Sequence, residues 1–251
     1  MSLNSLFGLN GLTALVTGGS SGIGRAIAVA LADAGASVLV AARTSSNIDA
    51  AVGGIVAAGG AVEGVRADLS TRDGVHALAD RVREVDILVN SAGINLRPPM
   101  AELDEATWDA TMAVNLDAPF ILGQRLAPGM AERGFGRIIH ISSQQAHRAF
   151  ASSGAYGASK AAIEGLARSQ AEAWSPFGVT ANVLVPGFVE TPLNARLSAD
   201  RDTVAALAAR TLVGRNGRTD DFAGAAVFLA GRSAGYITGQ SIAVDGGFSV
   251  H

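Results

Sequence analysis

The chain reads as a doubly wound α/β fold, one sheet of seven parallel strands flanked by helices, in a single domain over residues 1–251. Three observations predict it. Short apolar, β-branched runs bounded by glycine alternate with longer amphipathic stretches along the chain. The first such run passes through a glycine loop straight into a helical stretch and a second run, which is a βαβ unit. No linker, low-complexity tract or internal repeat interrupts the alternation.

Leu12–Thr17 is apolar and ends at glycines, the pattern of a strand buried on both faces. Helical periodicity runs from Arg25 to Ala34 and closes at Gly35, and Ser37–Ala42 reads as the second strand. A helix over Ile48–Ala58 stops at Gly59-Gly60, and Ala61–Ala67 is the third strand. Thr71–Val85 is expected as a helix, with Asp73 suited to the positive end of its dipole. Val85–Asn90 is strand four, and Ser91-Ala92-Gly93 turns away from it. A long helix is expected over Thr107–Glu132, disturbed at Pro119 and Pro128. Strand five covers Arg137–Ser142, a helix Gly154–Ser175, and strand six Val179–Val185, ending at Pro186-Gly187. The stretch near 188–214, with a helix around Val204–Leu212, departs from the alternation; it is either a substrate flap or an ordinary surface insertion. A helix over Thr219–Ala230 and a strand over Ser241–Val244 complete the pattern.

Composition narrows the function classes. With 49% hydrophobic residues, the chain has apolar surface enough for a core without staples. There is no cysteine, which excludes disulfides, thiolate metal sites and thiol catalysis. A net charge of −3 argues against a nucleic-acid surface. His76, His140, His147 and His251 are scattered without metal-ligand spacing, so no metal is expected. The N-terminus lacks a basic region and long apolar stretch, and no apolar run reaches the ~18 residues of a membrane span. A soluble cytoplasmic protein, off the membrane, is the expectation.

Two stretches carry chemistry. In Gly18-Gly19-Ser20-Ser21-Gly22-Ile23-Gly24, Gly18, Gly22 and Gly24 allow a sharp turn, backbone approach to a pyrophosphate and close helix packing. The spacing G-x-x-x-G-x-G departs from the commoner G-x-G-x-x-G. Further on, Tyr156 and Lys160 stand four residues apart on one helix, a spacing that predicts an ammonium beside a phenol. Such a neighbour lowers the phenol's pKa and readies it to pass protons to a substrate oxygen. Ser142 and Ser143 place hydroxyls at the carboxyl end of strand five, where open α/β sheets bind ligands.

Together these motifs resemble the short-chain dehydrogenase/reductase family, whose fold is a Rossmann-type sheet. Thr17–Gly24 is similar to the family's T-G-x-x-x-G-I-G cofactor loop, and Tyr156-Gly157-Ala158-Ser159-Lys160 to its Y-x-x-x-K. Ser143 stands thirteen residues before the tyrosine, as the family's catalytic serine does, and Asn115 resembles the helix asparagine of its tetrad. Pro186-Gly187 and then Thr191, with Val189 between them, resemble the segment holding the nicotinamide carboxamide, and Asp68-Leu69 the pair beside adenine. Asn90-Ser91-Ala92-Gly93 matches the N-N-A-G turn except at Ser91. The resemblance covers about Leu12 to Gly247. It implies that Tyr156 is general acid or base, that Lys160 depresses its pKa and holds the nicotinamide ribose, that Ser143 stabilises the substrate oxygen and that Asn115 holds a relay water. It implies a homotetramer, with the helices carrying Asn115 and Tyr156 between subunits.

The acidic position at the end of strand two is Ala42, and Arg43 follows it with Thr44, Ser45 and Ser46. A guanidinium there suits a 2′-phosphate, so NADP(H) is expected over NAD(H). The runs Asp86–Met100 and Ile242–Phe248 resemble the gluconate and deoxygluconate dehydrogenases. That resemblance implies a small-molecule substrate, a ketone or secondary alcohol such as a sugar acid, with Asn95, Arg97, Gln145, His147 and Phe188 as candidate contacts; Gln144 and Arg148 also follow a strand end there. Another carbonyl reductase, acting on a 3-oxoacyl group or a small cyclic ketone, and a catalytically silent NADP-binding regulator remain as alternatives. An isomerase or dehydratase of the longer-chain branch finds little room after Pro186.

Overall fold

In the computed structural model, which describes residues 3–82 and 84–250 (of Asn4 the backbone alone), the apolar runs lie side by side as one sheet. Arg83, inside a stretch expected as helix, Met1 and Ser2 of the N-terminus, and His251, one of the scattered histidines, lie outside the described residues. The strands are β1 (Thr13–Thr17), β2 (Ser37–Ala42), β3 (Val62–Arg66), β4 (Ile87–Asn90), β5 (Gly136–Ile141), β6 (Val179–Pro186) and β7 (Ser241–Val244). Their order is β3-β2-β1-β4-β5-β6-β7, every pairing parallel. The order reverses at β1, which pairs with β2 on one side and β4 on the other; such a switch point opens a crevice beyond the strand ends.

The helices are α1 (Leu3–Phe7), α2 (Gly22–Asp33), α3 (Ser45–Ala57), α4 (Arg72–Arg81), α5 (Glu105–Met112), α6 (Ala118–Glu132), α7 (Gly154–Trp174), α8 (Ala195–Ser198), α9 (Arg201–Ala209) and α10 (Ala223–Ala230). Alternate strand residues feed two cores. Val16, Val40, Val89 and Ile139 pack with α2 and α10 through Ile27, Leu31 and Leu229. Leu15, Leu88 and Ile138 pack on the other face with α4 and α6 through Leu78, Leu122 and Leu126. That two-sided burial is why the strand sequences read as continuous apolar runs. No helix among the described residues is long and apolar enough to cross a membrane.

Several boundaries differ from the sequence expectation. The helix expected over Thr71–Val85 starts one residue later, because the Thr71 side chain accepts from Gly74 N as its N-cap, and it stops at Arg81. The last helix begins with a 3₁₀ turn, Thr219–Phe222. The long helix expected over Thr107–Glu132 starts earlier, at Glu105, where Asp104 caps it by accepting from Thr107 N at 2.8 Å. It is broken at the π-helical segment Ala113–Asp117 rather than at either proline. Pro119 sits in the first turn of α6, where a missing N–H does least harm, and Pro128 is carried inside the helix. A π turn widens the helix by one residue and often marks a functional position; here Asn115 lies at its centre.

Candidate active site

The site is built where β1 and β4 part. Gly18 follows β1 at φ 67, a left-handed conformation that favours glycine, and a Cβ there would stand 2.8 Å from the Ala92 backbone. A Cβ on Gly24 would stand 2.5 Å from the Gly18 carbonyl. These two contacts are why the loop is glycine-rich: it runs backbone against backbone. Thr17 Oγ1 accepts from both Ser91 N and Ala92 N at 3.2 Å, tying the second loop to the first. Ser91, where the family's asparagine would stand, keeps that tie through its backbone. Helix α2 starts at Gly22 with Ser21 as N-cap, and the Ser21 side chain makes no capping bond. The first N–H groups of α2 therefore face the crevice with no side-chain acceptor from their own cap.

Two cavities share Gly18, Ser21, Ala92 and Gly93 and form one cleft. The smaller, about 200 Å³, is walled by Ser20, Ala42, Arg43, Thr44, Leu69 and Ser70. The larger, about 360 Å³, runs past Gly22, Ile23 and Gly24 to Ser143, Tyr156 and Lys160, and is closed by Pro186, Gly187, Phe188, Val189 and Thr191. A ligand lying along this cleft would have a phosphate-binding loop at its middle and a cation, Arg43, near one end. That shape fits a dinucleotide. Leu193 and Asn194, Leu197 of α8, and Thr203 and Leu207 of α9 form the remaining wall.

Around the reacting end, the Ser143 hydroxyl neighbours the Tyr156 phenol and favours its charged form. It also accepts from Gln145 N at 3.2 Å, which fixes its rotamer. Lys160 is buried and donates from Nζ to the Ile141 carbonyl at 2.8 Å, with Nζ 5.6 Å from the Tyr156 ring centre. The expected lowering of the phenol's pKa by the ammonium is not what this geometry gives. Burial pushes Tyr156 up to about 12, against the neighbouring Ser143 hydroxyl and the Arg97 charge, which pull it down. Burial also pushes Lys160 down to about 8. Both groups are held toward their neutral forms because both are buried. Arg97 reaches the same cavity, donates to the Ala151 carbonyl, and is itself shifted down by burial and raised by Tyr156.

Asn115 is buried, and its amide clamps Ile94. Oδ1 accepts from Ile94 N at 2.9 Å, while Nδ2 donates to Ile94 O and to Ser159 Oγ, each at 3.0 Å. Both amide hydrogens are thus committed, which leaves its oxygens as the groups open to a relay water.

Other predicted residues fall outside the cleft wall. Asp68 turns to Ser70, accepting from its N and Oγ, while its neighbour Leu69 faces the cavity. Asn90 is buried behind the loop, with Nδ2 3.2 Å from His140 Nδ1. Asn95 turns to Asn194 at 3.5 Å, and His147 turns to Glu164 at 3.0 Å. Arg148 donates to the Ser249 carbonyl at 2.6 Å. Gln145 does line the cavity, with Oε1 accepting from Ser153 Oγ at 2.6 Å, and so does the neighbouring Gln144. The sequence reading did not single out Phe150 or Asn194; their one signal is position after the ends of β5 and β6.

Comparison with known proteins gives the family. The family profile described as enoyl-(acyl carrier protein) reductase matches residues 18–249. A gluconate 5-dehydrogenase of Gluconobacter oxydans is 39% identical over 254 residues, 100% of this chain and 99% of that protein. A 2-dehydro-3-deoxy-D-gluconate 5-dehydrogenase of Bacillus subtilis is 37% identical, over 98% of each. Among solved structures, a gluconate 5-dehydrogenase from Burkholderia cenocepacia in complex with NADP and tartrate superposes with a TM-score of 0.94 at 35% identity, covering 100% of both chains. A 3-oxoacyl (acyl-carrier-protein) reductase from Agrobacterium tumefaciens with NADP bound gives 0.93 at 36%, over 98% of both. The chain belongs to the short-chain dehydrogenase/reductase family of NAD(P)-dependent oxidoreductases.

Proposed function

We propose that this protein moves a hydride between NADP(H), in preference to NAD(H), and a ketone or secondary alcohol on an anionic polyol of the sugar-acid type. One observation carries the reading: Ser143, Tyr156 and the Arg97 guanidinium converge on one cavity at the end of a dinucleotide-shaped cleft. The cofactor, when bound, supplies or accepts the hydride. The loop Gly18–Gly24 and the start of α2 would hold its pyrophosphate, Lys160 its nicotinamide ribose, Pro186–Thr191 its nicotinamide and Arg43 a 2′-phosphate. Tyr156, neutral at physiological pH, gives its proton to the substrate oxygen in reduction and takes it back in oxidation. Ser143 Oγ donates to the same oxygen as charge develops there. Asn115 holds the loop at Ile94 in place and offers oxygen lone pairs to a relay water.

Arg97 supports the acid part of the substrate, since a half-buried guanidinium in a cavity wall matches a carboxylate. The relatives named for gluconate and deoxygluconate support the polyol part. The wall contributed by α8 and α9 supports a flap that closes over substrate. Exposed Trp108 and Phe120, on α5 and α6, support packing of those helices between subunits of a homotetramer; a cytoplasmic location is proposed with it.

The test is NADPH and NADH oxidation against a panel of keto-sugar acids and neutral ketones, with Arg97→Ala beside the wild type. The expected result is NADPH-dependent turnover of keto acids, with KM raised on the order of ten- to a hundredfold by Arg97→Ala and the KM of neutral ketones changed far less. Turnover confined to neutral ketones would discard the sugar acid.

A further inference from the structure

Glu164 lies on α7, one turn beyond Lys160, and is only 4% exposed. The chemistry described above does not use it. Burying a carboxylate is unfavourable unless its lone pairs are met by donors. Here donors from three separate segments meet them. Ser142 Oγ lies 2.8 Å from Oε1, His147 Nε2 lies 3.0 Å from the same oxygen, and Ser241 Oγ donates to Oε2 at 3.0 Å. The partners come from the end of β5, the loop after it, and β7.

Ser142 is the residue before Ser143, and its hydroxyl also stands 3.0 Å from the Lys160 carbonyl. A hydroxyl has one proton to give, and the carboxylate is both the nearer and the stronger acceptor. Lys160 Nζ holds the preceding carbonyl, that of Ile141. Chain entering Ser143 is therefore fastened to α7 at two consecutive residues. The short 3₁₀ turn Gln144–Ala146 follows, and His147 closes it back onto Glu164. Glu164 thus brackets the segment that carries Ser143, Gln144 and Gln145, all three in the cavity wall.

The geometry points to Glu164, seated by His147, as a positioning residue that sets Ser143 against Tyr156 and holds the Gln144–Gln145 wall to the helix. The inference rests on the oxidoreductase reading for its kinetic consequence, but its structural consequence can be read without turnover. The chain has only two tyrosines, and the second, Tyr236, is fully exposed. With ring-labelled tyrosine, the NMR signal of the carbon bearing the hydroxyl therefore reports how the Ser143 hydroxyl sits against the Tyr156 phenol, with Tyr236→Phe assigning the pair.

Three variants of the full chain are compared with wild type: Glu164→Ala, Glu164→Gln and Ser142→Ala. Glu164→Ala and Ser142→Ala are expected to move the Tyr156 signal and to lower kcat on the order of ten- to a hundredfold, with NADPH affinity unchanged. Glu164→Gln keeps an oxygen for Ser142 and is expected to recover most of both. Ser142→Ala decides the matter if Glu164→Ala does not fold. An unmoved Tyr156 signal in Ser142→Ala overturns the inference, as does loss of NADPH affinity in parallel with kcat. A wild type silent on every substrate would count against the proposed function, while the Tyr156 signal would still decide the role of Glu164.

Discussion

Tyr156 and Lys160 show how far residue spacing carries and where it stops. Four residues on a helix place two side chains on one face. They do not say which way a long lysine turns. Here Nζ turns to the Ile141 carbonyl, a partner from β5, and burial dominates both groups. The identities of Ser143, Tyr156 and Lys160 were legible because each is fixed by regular structure, a strand end and one helix. His147 and Asn95 were not legible: each sits in a loop, and each turns to a residue far along the chain, Glu164 or Asn194. Arg43 is a third case, fixed by its place after β2 in the wall of the smaller cavity. If it binds a 2′-phosphate, Arg43→Ala should raise the NADPH KM on the order of tenfold or more and leave the NADH KM unchanged, because only one cofactor carries that charge. Equal effects on the two would contradict the assignment.

At the scale of elements, most errors were of boundary and cause. The break between α5 and α6 was expected at prolines, yet it falls at a π segment that carries Asn115, whose clamp on Ile94 is a contact no local pattern encodes. Strand β5 hides a second such contact. His140 is wholly buried between Asn90 of β4 and Gln170 of α7, with Nε2 2.7 Å from Gln170 Oε1 and Nδ1 facing the Asn90 amide. The network assigns Nδ1 as acceptor and Nε2–H as donor, which is the neutral ring. Burial pushes its pKa down from 6.5 to about 4. The fold therefore holds the uncharged form: this stability is present above pH 6.5 and is lost as pH falls through about 4. Its full size is about 3 kcal/mol. Denaturant unfolding at about pH 7 and about pH 4 should show His140→Gln losing roughly that much less than wild type on acidification. An identical loss in the two proteins would rule out His140 as the acid-sensitive joint between β4, β5 and α7.

For the whole molecule, the alternation of runs gave the seven parallel strands and the helices on both faces, while the sheet order is set by which strands pair. The position of the cleft then followed from topology, since Gly18 and Ala92 approach at the place where strand order reverses. What the linear pattern could not supply is the far wall. Helices α8 and α9 close the larger cavity from a stretch that breaks the alternation, and their side-chain contributions depend on how that stretch folds back. These scales meet at one point: the cleft delivers the reacting end of a dinucleotide to Tyr156. Substituting Tyr156→Phe removes only the proton-carrying oxygen. Steady-state turnover with NADPH and a keto-sugar acid, measured beside NADPH binding, tests the claim most directly. Turnover is expected to fall on the order of a hundredfold or more with binding intact; a variant that keeps wild-type turnover would rule out Tyr156 as the proton carrier.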